Sequence, residues 1–380
     1  MTYRIPFNKP FIVGKELYYV AEAVLGGQIS GDGPFARRCQ RLMEERFRAR
    51  KVFLTTSCTS ALEMAALLCE IGPGDEVILP SYTFVSTANA FFLRGAKLVF
   101  VDIRPDTLNL DETLLDAAVT ERTKAIVPVH YAGVACEMDR IGEIAREYGL
   151  YVIEDAAHAV NATYKGTFLG TIGDFGAYSF HETKNFICGE GGALLANTDG
   201  FEERAEIIRE KGTNRSQFFR GQVDKYTWVG AGSSYVPADI LAAFLYAQLE
   251  NMETITDKRK WIYETYLNLF RPLADRCPLR LPVIPEECGS NYHMFYVILE
   301  DQATRTALIE HLKAKGILAV FHYVPLHTSP VGTAMGYRPG MFPVTEDVSD
   351  RLLRLPFYYG LEEEDIRTVA DEVSAFFGRS

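Results

Sequence analysis

The segment TIGDFGAYSFHETKNFICGEGGA, residues 171 to 193, decides the fold that we predict for this chain. Its first half, Phe175 to Phe180, consists of aromatic and small residues that favour a strand packed between two layers. Its second half carries Lys184 into a glycine-rich turn, where backbone can approach a ligand closely. A lysine held there loses hydrating water, so its amine is easier to deprotonate and can form a Schiff base. Most lysines are solvated surface charges, so this interpretation depends on other segments of the chain.

The composition is that of a large folded protein. The chain has 380 residues, of which 48% are hydrophobic and 23% charged, which is typical of soluble globular proteins and indicates two or three domains. A net charge of −11 disfavours non-specific nucleic-acid binding, and no apolar run is long enough for a membrane span. The seven scattered cysteines form no CxxC pair and the N-terminus has no apolar signal segment, so we expect reduced thiols and a cytoplasmic location.

Short apolar runs alternate with helical patterns from Val52 to about Ala196. This alternation is typical of βαβ units and predicts an α/β fold with a mostly parallel sheet. We expect strands at 52–54, 76–79, 97–101, 125–128, 151–154, 175–180 and 193–196, and helices at 35–47, 60–70, 87–94, 111–118 and 138–148.

The rest of the chain predicts a second, smaller unit. The polar segment 212–233 has no clear period, and a loop of that length is more often functional than not. A long helical region is expected at 237–270, followed by strands near 293–299 and 318–323 and helices at 303–315 and 362–377. We therefore divide the chain into an N-terminal arm (1–30), a large domain (31–245) and a smaller C-terminal α+β domain (246–380).

Four elements of sequence fit one chemistry. Ser57, Thr59 and Ser60 stand where a strand turns into a helix, so they can cap the helix while its free amides face a phosphate. Phe84 follows a strand and can stack on a flat ring. Neither GxGxxG nor GxxxxGK[ST] occurs at such a turn, so dinucleotide and P-loop sites lack their signatures.

The other two elements are a carboxylate and the amine. Asp155 ends a buried-looking strand, at the edge where open α/β sheets bind ligands, and can meet a ring nitrogen. Ser179 and Lys184 add a hydroxyl and the Schiff-base amine. A phosphate cup, a ring stack, a carboxylate for a pyridinium nitrogen and a lysine together describe a site for pyridoxal 5'-phosphate (PLP).

A metal site is not expected. His181 and Glu182 begin an HExxH pattern, but Asn185 stands where its second histidine is required. His322 and His327 are five residues apart in a segment that contains Pro325, so they do not share a helix face.

The chain resembles the sugar aminotransferases of the DegT/DnrJ/EryC1/StrS family over nearly its whole length. This resemblance implies the three-layer fold of the fold-type I PLP transferases. The matching motifs are Ser57-Cys-Thr-Ser60, Pro80-Ser-Tyr-Thr-Phe84, Glu154-Asp-Ala-Ala-His158 and Ser179-Phe-His-Glu-Thr-Lys-Asn185.

The resemblance implies a role for each cofactor-binding residue. Lys184 would hold PLP as a Schiff base, Asp155 would pair with the pyridine nitrogen, and His158 would contact the ring hydroxyl. Phe84 would cover the ring. The phosphate would be held by Thr59, Ser60 and Ser179, and Ser57 is counted with them among the cofactor-binding residues.

Within the family, three segments are similar to the subgroup that makes dTDP-4-amino-4,6-dideoxygalactose. They are Phe180-His-Glu-Thr-Lys-Asn185, Lys211-Gly-Thr-Asn-Arg-Ser-Gln-Phe-Phe-Arg-Gly221 and Val320-Phe-His-Tyr-Val-Pro-Leu-His327. The resemblance implies transfer of an amino group from L-glutamate, through the pyridoxamine phosphate (PMP) form, to the C4 ketone of dTDP-4-dehydro-6-deoxy-D-glucose. It also implies a homodimer in surface polysaccharide biosynthesis. The nucleotide sugar is expected to meet Asn214, Arg215, Arg220, His322 and His327.

Three alternatives stay open at this point. The enzyme could form the C4 epimer, or it could act on another nucleotide keto-sugar, including one aminated at C3. From a different class, the chain could be a PLP-binding regulator without turnover, although it carries no appended DNA-binding segment.

Overall fold

The computed structural model describes residues 3–378. The helices are α1 (Glu16–Leu25), α2 (Pro34–Phe47), α3 (Cys58–Leu68), α4 (Val85–Phe92), α5 (Leu115–Ala118), α6 (Met138–Tyr148), α7 (Glu202–Arg209), α8 (Arg215–Phe219), α9 (Asp239–Glu250), α10 (Met252–Ala274), α11 (Gln302–Ala314), α12 (Pro330–Ala334), α13 (Pro343–Arg351) and α14 (Glu363–Phe377). The strands are β1 (Lys51–Thr55), β2 (Glu76–Pro80), β3 (Lys97–Val101), β4 (Thr123–Ile126), β5 (Tyr151–Asp155), β6 (Thr163–Tyr164), β7 (Thr167–Phe168), β8 (Phe175–Ser179), β9 (Gly192–Ala196), β10 (Cys288–Gly289), β11 (Tyr296–Ile298) and β12 (Leu352–Arg354).

Seven strands form the central sheet, in the order β1-β9-β8-β5-β4-β2-β3. The neighbours from β8 to β3 are all parallel, whereas β9 is antiparallel to both β1 and β8. Helix α4 joins β2 to β3 and α6 joins β4 to β5, as crossovers between parallel neighbours require. The predicted mostly parallel α/β sheet is confirmed.

Both faces of this sheet are covered, which makes the large unit three-layered. Side chains alternate along each strand, so Val52 and Leu54 of β1 enter one core while Phe53 enters the other. Residues of α1, α2, α6 and α9 complete the first core, and residues of α3, α4 and α7 complete the second.

A third core belongs to the C-terminal part of the chain. It unites α10, α11 and α14 with the two-stranded sheet β11-β12, and Ile5 of the N-terminal segment packs into it. Along α10, Ile255 still belongs to the first core and Ile262 to the third. The expected boundary at residue 246 falls inside the continuous helix α9. We therefore propose that the two units meet within α10, between Ile255 and Ile262.

Several local features differ from the sequence-based expectation, among them the unexpected short strands β6, β7 and β10. The long helical region is interrupted at Asn251, whose side chain donates to the carbonyl of Ala247 at 2.7 Å and satisfies the end of α9. Instead of a strand at 318–323, Val320 alone exchanges backbone hydrogen bonds with Arg354. The polar segment 212–233 contains the short helix α8, and β12 had not been expected.

Within residues 3–378, no helix combines the length and the apolarity that crossing a membrane requires.

Candidate active site

One cavity of about 620 Å³ gathers most of the residues predicted for the cofactor. It lies beside the carboxyl ends of β5 and β8, where ligands bind in open α/β sheets. Ser60 is set just behind the lining, with its hydroxyl 3.0 Å from that of Ser57. The predicted residues that line the cavity are Ser57, Thr59, Phe84, Asp155, His158, Ser179, Lys184 and His322.

Lys184 is held by the loop that joins β8 to β9. Backbone hydrogen bonds close the base of this loop, from Phe180 to the carbonyl of Gly191 at 2.9 Å and from Cys188 to the carbonyl of Phe180 at 2.9 Å. The next residue, Asn185, is buried and donates to the carbonyl of Asn291 at 2.8 Å, which ties the loop to the C-terminal part of the chain. The lysine is therefore fixed to a rigid support.

The Lys184 amine has a pKa lowered to about 8. Desolvation in the cavity is the main cause, and the positive charge of Arg354 acts in the same direction. The acidic groups of Cys58 and Asp155 oppose the shift. A larger fraction of this amine is neutral near pH 7 than for an ordinary lysine, which makes it a better nucleophile and base.

Asp155 presents a buried carboxylate at the end of β5. Its Oδ2 accepts a hydrogen bond of 2.7 Å from the hydroxyl of Thr87, and its Oδ1 accepts one of 3.1 Å from the amide of Ala157. The Thr87 hydroxyl lies 2.8 Å from that of Thr83, so the orientation of the carboxylate is fixed by a chain of hydroxyls. Such a carboxylate can stabilise a protonated ring nitrogen.

The neighbouring Glu154 has a different function. It is fully buried, accepts from the amides of Gly170, Ile172 and Gly173 at 2.7 Å each, and lies 2.9 Å from Nε2 of His130. Its carboxylate fixes the turn before β8 and does not line the cavity.

The N-terminus of α3 forms the predicted anion cup. Ser57 caps the helix by accepting from the amide of Ser60 at 3.1 Å. The amides of Cys58 and Thr59 have no intrahelical acceptor at this position, and both residues line the cavity. A Cβ on Gly192 would lie 2.4 Å from the Cys58 nitrogen, so β9 can lie against the cup only because residue 192 is glycine.

His158 belongs to a column of stacked imidazoles. Its ring lies 4.3 Å from that of His293 with planes 20° apart, and 6.1 Å from that of His322. Burial, assisted by the nearby positive charges, lowers the pKa of all three rings well below 6.5, so they are neutral near pH 7. Nδ1 of His158 accepts from the amide of Ala132 at 3.4 Å, which leaves Nε2 as the donor toward the cavity.

Phe84 is exposed although it is a large apolar side chain. It directly precedes α4, lines the cavity and leaves 55% of its surface uncovered. An uncovered aromatic face inside a cavity is suited to stack on a flat ring.

Several lining residues were missed by the sequence analysis. They come from elements that only the tertiary fold brings to β5 and β8. One sequence signal existed for Arg354, which is a lone charge within the apolar run Leu352-Leu-Arg-Leu-Pro356. The missed residues include Phe7, Thr87, His293, Tyr323 and Arg354.

His327 was expected to bind substrate, but the structure places it elsewhere. Its side chain is fully buried, with Nδ1 2.6 Å from the hydroxyl of Ser81 and Nε2 2.9 Å from a carboxylate oxygen of Glu346. Both ring nitrogens are therefore engaged inside the protein. We correct the expectation and assign His327 a structural role.

The basic segment lies outside this cavity within one chain. Arg215 lines a separate cavity of about 540 Å³, with Lys211 and Arg37 nearby. Arg220 is paired with Glu206 at 2.8 Å. The side chain of Asn214 accepts from the amide of Thr227 at 2.8 Å. Within the described chain, these residues therefore do not line the cavity that contains Lys184.

The chemical groups that line the cavity match those of PLP. The free amides of α3 suit the phosphate, the buried carboxylate of Asp155 suits the pyridine nitrogen, Phe84 offers a ring face, and Lys184 supplies the amine. On a mostly parallel seven-stranded sheet, this set defines the class of the protein: it is a fold-type I PLP enzyme.

Comparison with known proteins identifies the family. The chain belongs to the DegT/DnrJ/EryC1/StrS aminotransferase family, whose pattern matches residues 10–374. This confirms both the predicted family and the predicted PLP cofactor.

The chain is similar to three proteins over almost its whole length. It is 35% identical over 376 residues to the uncharacterized protein MJ1066 of Methanocaldococcus jannaschii, covering 97% of this chain and 96% of the relative. It is 33% identical over 377 residues to the spore coat polysaccharide biosynthesis protein SpsC of Bacillus subtilis, covering 97% and 96%. Spr1654 of Streptococcus pneumoniae superposes in its PLP form with a TM-score of 0.91 at 27% identity, covering 99% of both chains. Its PMP form superposes with a TM-score of 0.92 at 26% identity, covering 99% of this chain and 100% of that one.

Proposed function

We propose that this protein transfers the amino group of L-glutamate to C4 of dTDP-4-dehydro-6-deoxy-D-glucose. The products are dTDP-4-amino-4,6-dideoxy-D-galactose and 2-oxoglutarate. The observation that carries the proposal is the placement of Lys184, with its lowered pKa, beside the buried Asp155 in one cavity.

Each residue of the site has its own role in the proposed reaction. PLP bound in this cavity would supply the electron sink and the carrier for the amino group between the donor and the acceptor ketone. Lys184, which lines the cavity, would be the base that takes a proton from the α-carbon of glutamate and later delivers one to the sugar carbon. Asp155 would keep the ring nitrogen protonated, and Phe84 and the α3 amides would hold the ring and the phosphate. A positioned base contributes about 10²–10⁴-fold to such a rate.

A sugar substrate is supported by the relatives and by three segments of this chain. SpsC is named for polysaccharide biosynthesis. The segments 180–185, 211–221 and 320–327 are similar to the subgroup that makes the 4-aminogalactose product. Of these, the first carries Lys184 and the third places His322 in the cavity lining.

We propose further that the enzyme is a cytoplasmic homodimer whose sites lie near the subunit interface. Large apolar side chains are exposed on α1 and on the basic segment, with Leu25 88% and Trp228 79% exposed. A second subunit that covers these surfaces would bring Asn214, Arg215 and Arg220 toward the site of its partner. Their charge would meet the pyrophosphate of the nucleotide sugar.

The decisive test incubates the purified PLP form with L-glutamate and dTDP-4-dehydro-6-deoxy-D-glucose. We expect a 4-amino sugar, with an axial amino group at C4 in the NMR spectrum, and we expect Lys184→Ala to form none. An equatorial amine would indicate the C4 epimer. If glutamate converts the cofactor to PMP but this ketone is not aminated, the substrate is another keto-sugar, including one aminated at C3. If glutamate is bound but never converted, the protein is a regulator.

A further inference from the structure

Residues 291–293 of the C-terminal part contact two segments that carry predicted cofactor-binding residues. Asn291 is buried and donates from Nδ2 to the carbonyl of His158 at 2.8 Å. His293 is buried, lines the cavity and lies with its ring against that of His158. Between them, Tyr292 has a φ of 53°, a left-handed conformation that residues other than glycine rarely adopt. Such backbone persists only where surrounding contacts hold it, and it is frequent at functional sites.

Arg259 of α10 holds this backbone in place. Its Nε donates to the carbonyl of Tyr292 at 3.1 Å, and its Nη2 donates to the carbonyl of His293 at 2.5 Å. The guanidinium is buried and lies 4.8 Å from the ring centre of Phe357, a residue of the third core. The position of His293 is therefore determined by the C-terminal part of the chain.

The hydrogen bonds around His293 determine its tautomer. The side chain of Asn185 donates from Nδ2 to the carbonyl of Asn291 at 2.8 Å, so its Oδ1 is the acceptor that lies 2.8 Å from Nδ1 of His293. The proton of His293 must therefore be on Nδ1. Asn185 directly follows Lys184, so this hydrogen bond joins His293 to the loop that presents the amine.

His158 carries its proton on the opposite nitrogen. Its Nδ1 accepts from the amide of Ala132, so Nε2 is the donor. The centres of the His158 and His293 rings are 4.3 Å apart with planes at 20°, and burial lowers the pKa of both well below 6.5. Two neutral, flat rings at this distance restrict each other's tilt, so His293 helps to determine how the His158 ring lies in the cavity.

The structure of PLP requires that these two contacts act together. In PLP the hydroxyl and the aldehyde are on adjacent ring carbons, so the donor to the hydroxyl and the lysine amine must be held at a fixed separation. We propose that His293 is a positioning residue that holds the Nε2 donor of His158 and the amine of Lys184 in the relative arrangement that PLP requires. This inference rests on the proposed contact between His158 and the ring hydroxyl, and it does not depend on which sugar is aminated.

The test removes the two contacts of His293 one at a time. His293→Phe keeps a flat ring for the stack but cannot donate to Asn185, whereas His293→Asn can donate to Asn185 but has no ring. The control is His311→Phe, because His311 pairs with Glu372 outside the cavity. Asn185→Ala removes the acceptor of the same hydrogen bond, which keeps the inference testable where a His293 variant does not fold.

All measurements use the apo-protein and added PLP. Titration gives the Kd of PLP, and stopped-flow absorbance gives the rate of its capture by Lys184. The ¹⁵N NMR spectrum of the histidines, recorded before PLP is added, gives the tautomer of His158. Urea unfolding gives the stability, so that a loss of stability can be told from a loss of geometry.

We expect His293→Phe and Asn185→Ala to slow the capture of PLP by about 10- to 100-fold, because the amine is no longer held in place. His293→Asn should change the capture rate much less, but it should mix the two tautomers of His158 and raise the Kd of PLP by about 3- to 10-fold, as for the loss of a ring pair. The His311 control should match the wild type in all three quantities.

Two results would overturn the inference. One is a set of His293 variants that lose stability but keep the wild-type Kd, capture rate and His158 tautomer, which would show a merely structural role. The other is a wild-type His158 whose proton is on Nδ1.

The same experiment separates this inference from the proposed function, since the capture of PLP requires neither glutamate nor a sugar. If the wild-type enzyme captures PLP but aminates no ketone, the proposed function is contradicted, and the variants still decide the role of His293. If wild-type apo-protein captures no PLP on Lys184, both are contradicted.

Discussion

At the scale of single residues, the chemistry of Lys184 depends on what surrounds it. The loop fixes its backbone, the cavity removes water from its amine, and Arg354 adds a positive charge. The last two effects favour the neutral amine over the charged one, so that a residue that is normally charged becomes available as a nucleophile.

The lowered pKa of Lys184 predicts how apo-protein captures PLP at different pH. The neutral amine is the reacting form, so the rate of capture should rise with pH through a midpoint of about 8 and then level off. Stopped-flow absorbance from pH 6 to 10.5, with Lys184→Ala as the blank, measures this. A rate that still climbs steeply above pH 10 would show an ordinary lysine and contradict the desolvated site.

Substitution of His327 should change the stability of the protein and not its substrate binding, which is the opposite of what is expected for a residue that contacts substrate. Removal of the His327 side chain leaves a cavity and takes one partner each from the buried hydroxyl of Ser81 and the carboxylate of Glu346, which keep only backbone amide donors. His327→Ala should therefore lower the free energy of unfolding by about 2–4 kcal/mol while KM for both substrates stays nearly constant. Urea unfolding and steady-state kinetics test this, with His311→Ala, a half-buried histidine paired with Glu372, as the control. Normal stability combined with a raised KM would return His327 to the substrate site.

Part of the site could be predicted because its residues directly follow strands in the sequence. Ser57, Phe84 and Asp155 each stand at the carboxyl end of a strand, and the edge of a parallel sheet gathers such positions. Arg354 and His293 belong to the C-terminal part, and only packing over long sequence separations brings them to the same cavity. A single sequence contains no periodic pattern that would indicate such a contact between residues far apart in the chain.

At the scale of elements, the N-terminus of α3 and the start of β9 form one unit. The residues of the anion cup come from α3, while β9 supports the cup from behind through the bare backbone of Gly192. The position of the helix terminus is thus determined by a strand that is far away in the sequence.

Gly192→Ala should disturb this unit. The new Cβ would lie 2.4 Å from the Cys58 nitrogen and the Ser57 carbonyl carbon, so α3 or β9 must move. We expect a loss of roughly 1–3 kcal/mol of stability, as for other overpacked sites, and weaker PLP binding. Calorimetric melting and PLP titration measure both, and Gly72→Ala is the control because no atom lies within 4 Å of its added Cβ. Equal behaviour of the two variants would refute the close approach.

The seven strands of the large sheet were predictable because each is a short apolar run bounded by turns. The elements that were missed depend on partners instead. β12 has three residues and exists through its pairing with β11, and the break between α9 and α10 depends on one asparagine side chain. Local pattern alone does not contain that information.

At the scale of the whole molecule, an acidic protein binds anionic ligands through a few placed cations. The net charge is −11, yet Lys184 and Arg354 both face the main cavity, and Arg215 with Lys211 faces the second one. Local geometry, rather than total charge, determines what such a protein binds.

The proposed dimer predicts complementation between defective subunits. Lys184→Ala removes the base of its own site, and Arg215→Ala would weaken the site of its partner. When the two variants are co-expressed, each mixed dimer should have one intact site of its two, which is about a quarter of all sites if dimers form at random, whereas each variant alone has low activity. Differently tagged subunits, purified in tandem, allow the assay. Absence of recovery in dimers proven to be mixed would place Arg215 outside the partner's site.

The central claim is that Lys184 is the residue that carries PLP in a glutamate-using aminotransferase. The most direct measurement is borohydride reduction of the purified PLP form, followed by peptide mass mapping, with and without prior exposure to L-glutamate. We predict a pyridoxyl group on the peptide that contains Lys184, and its loss when glutamate has first converted the cofactor to PMP. A label on another lysine, or a label on Lys184 that glutamate does not diminish, would contradict this account.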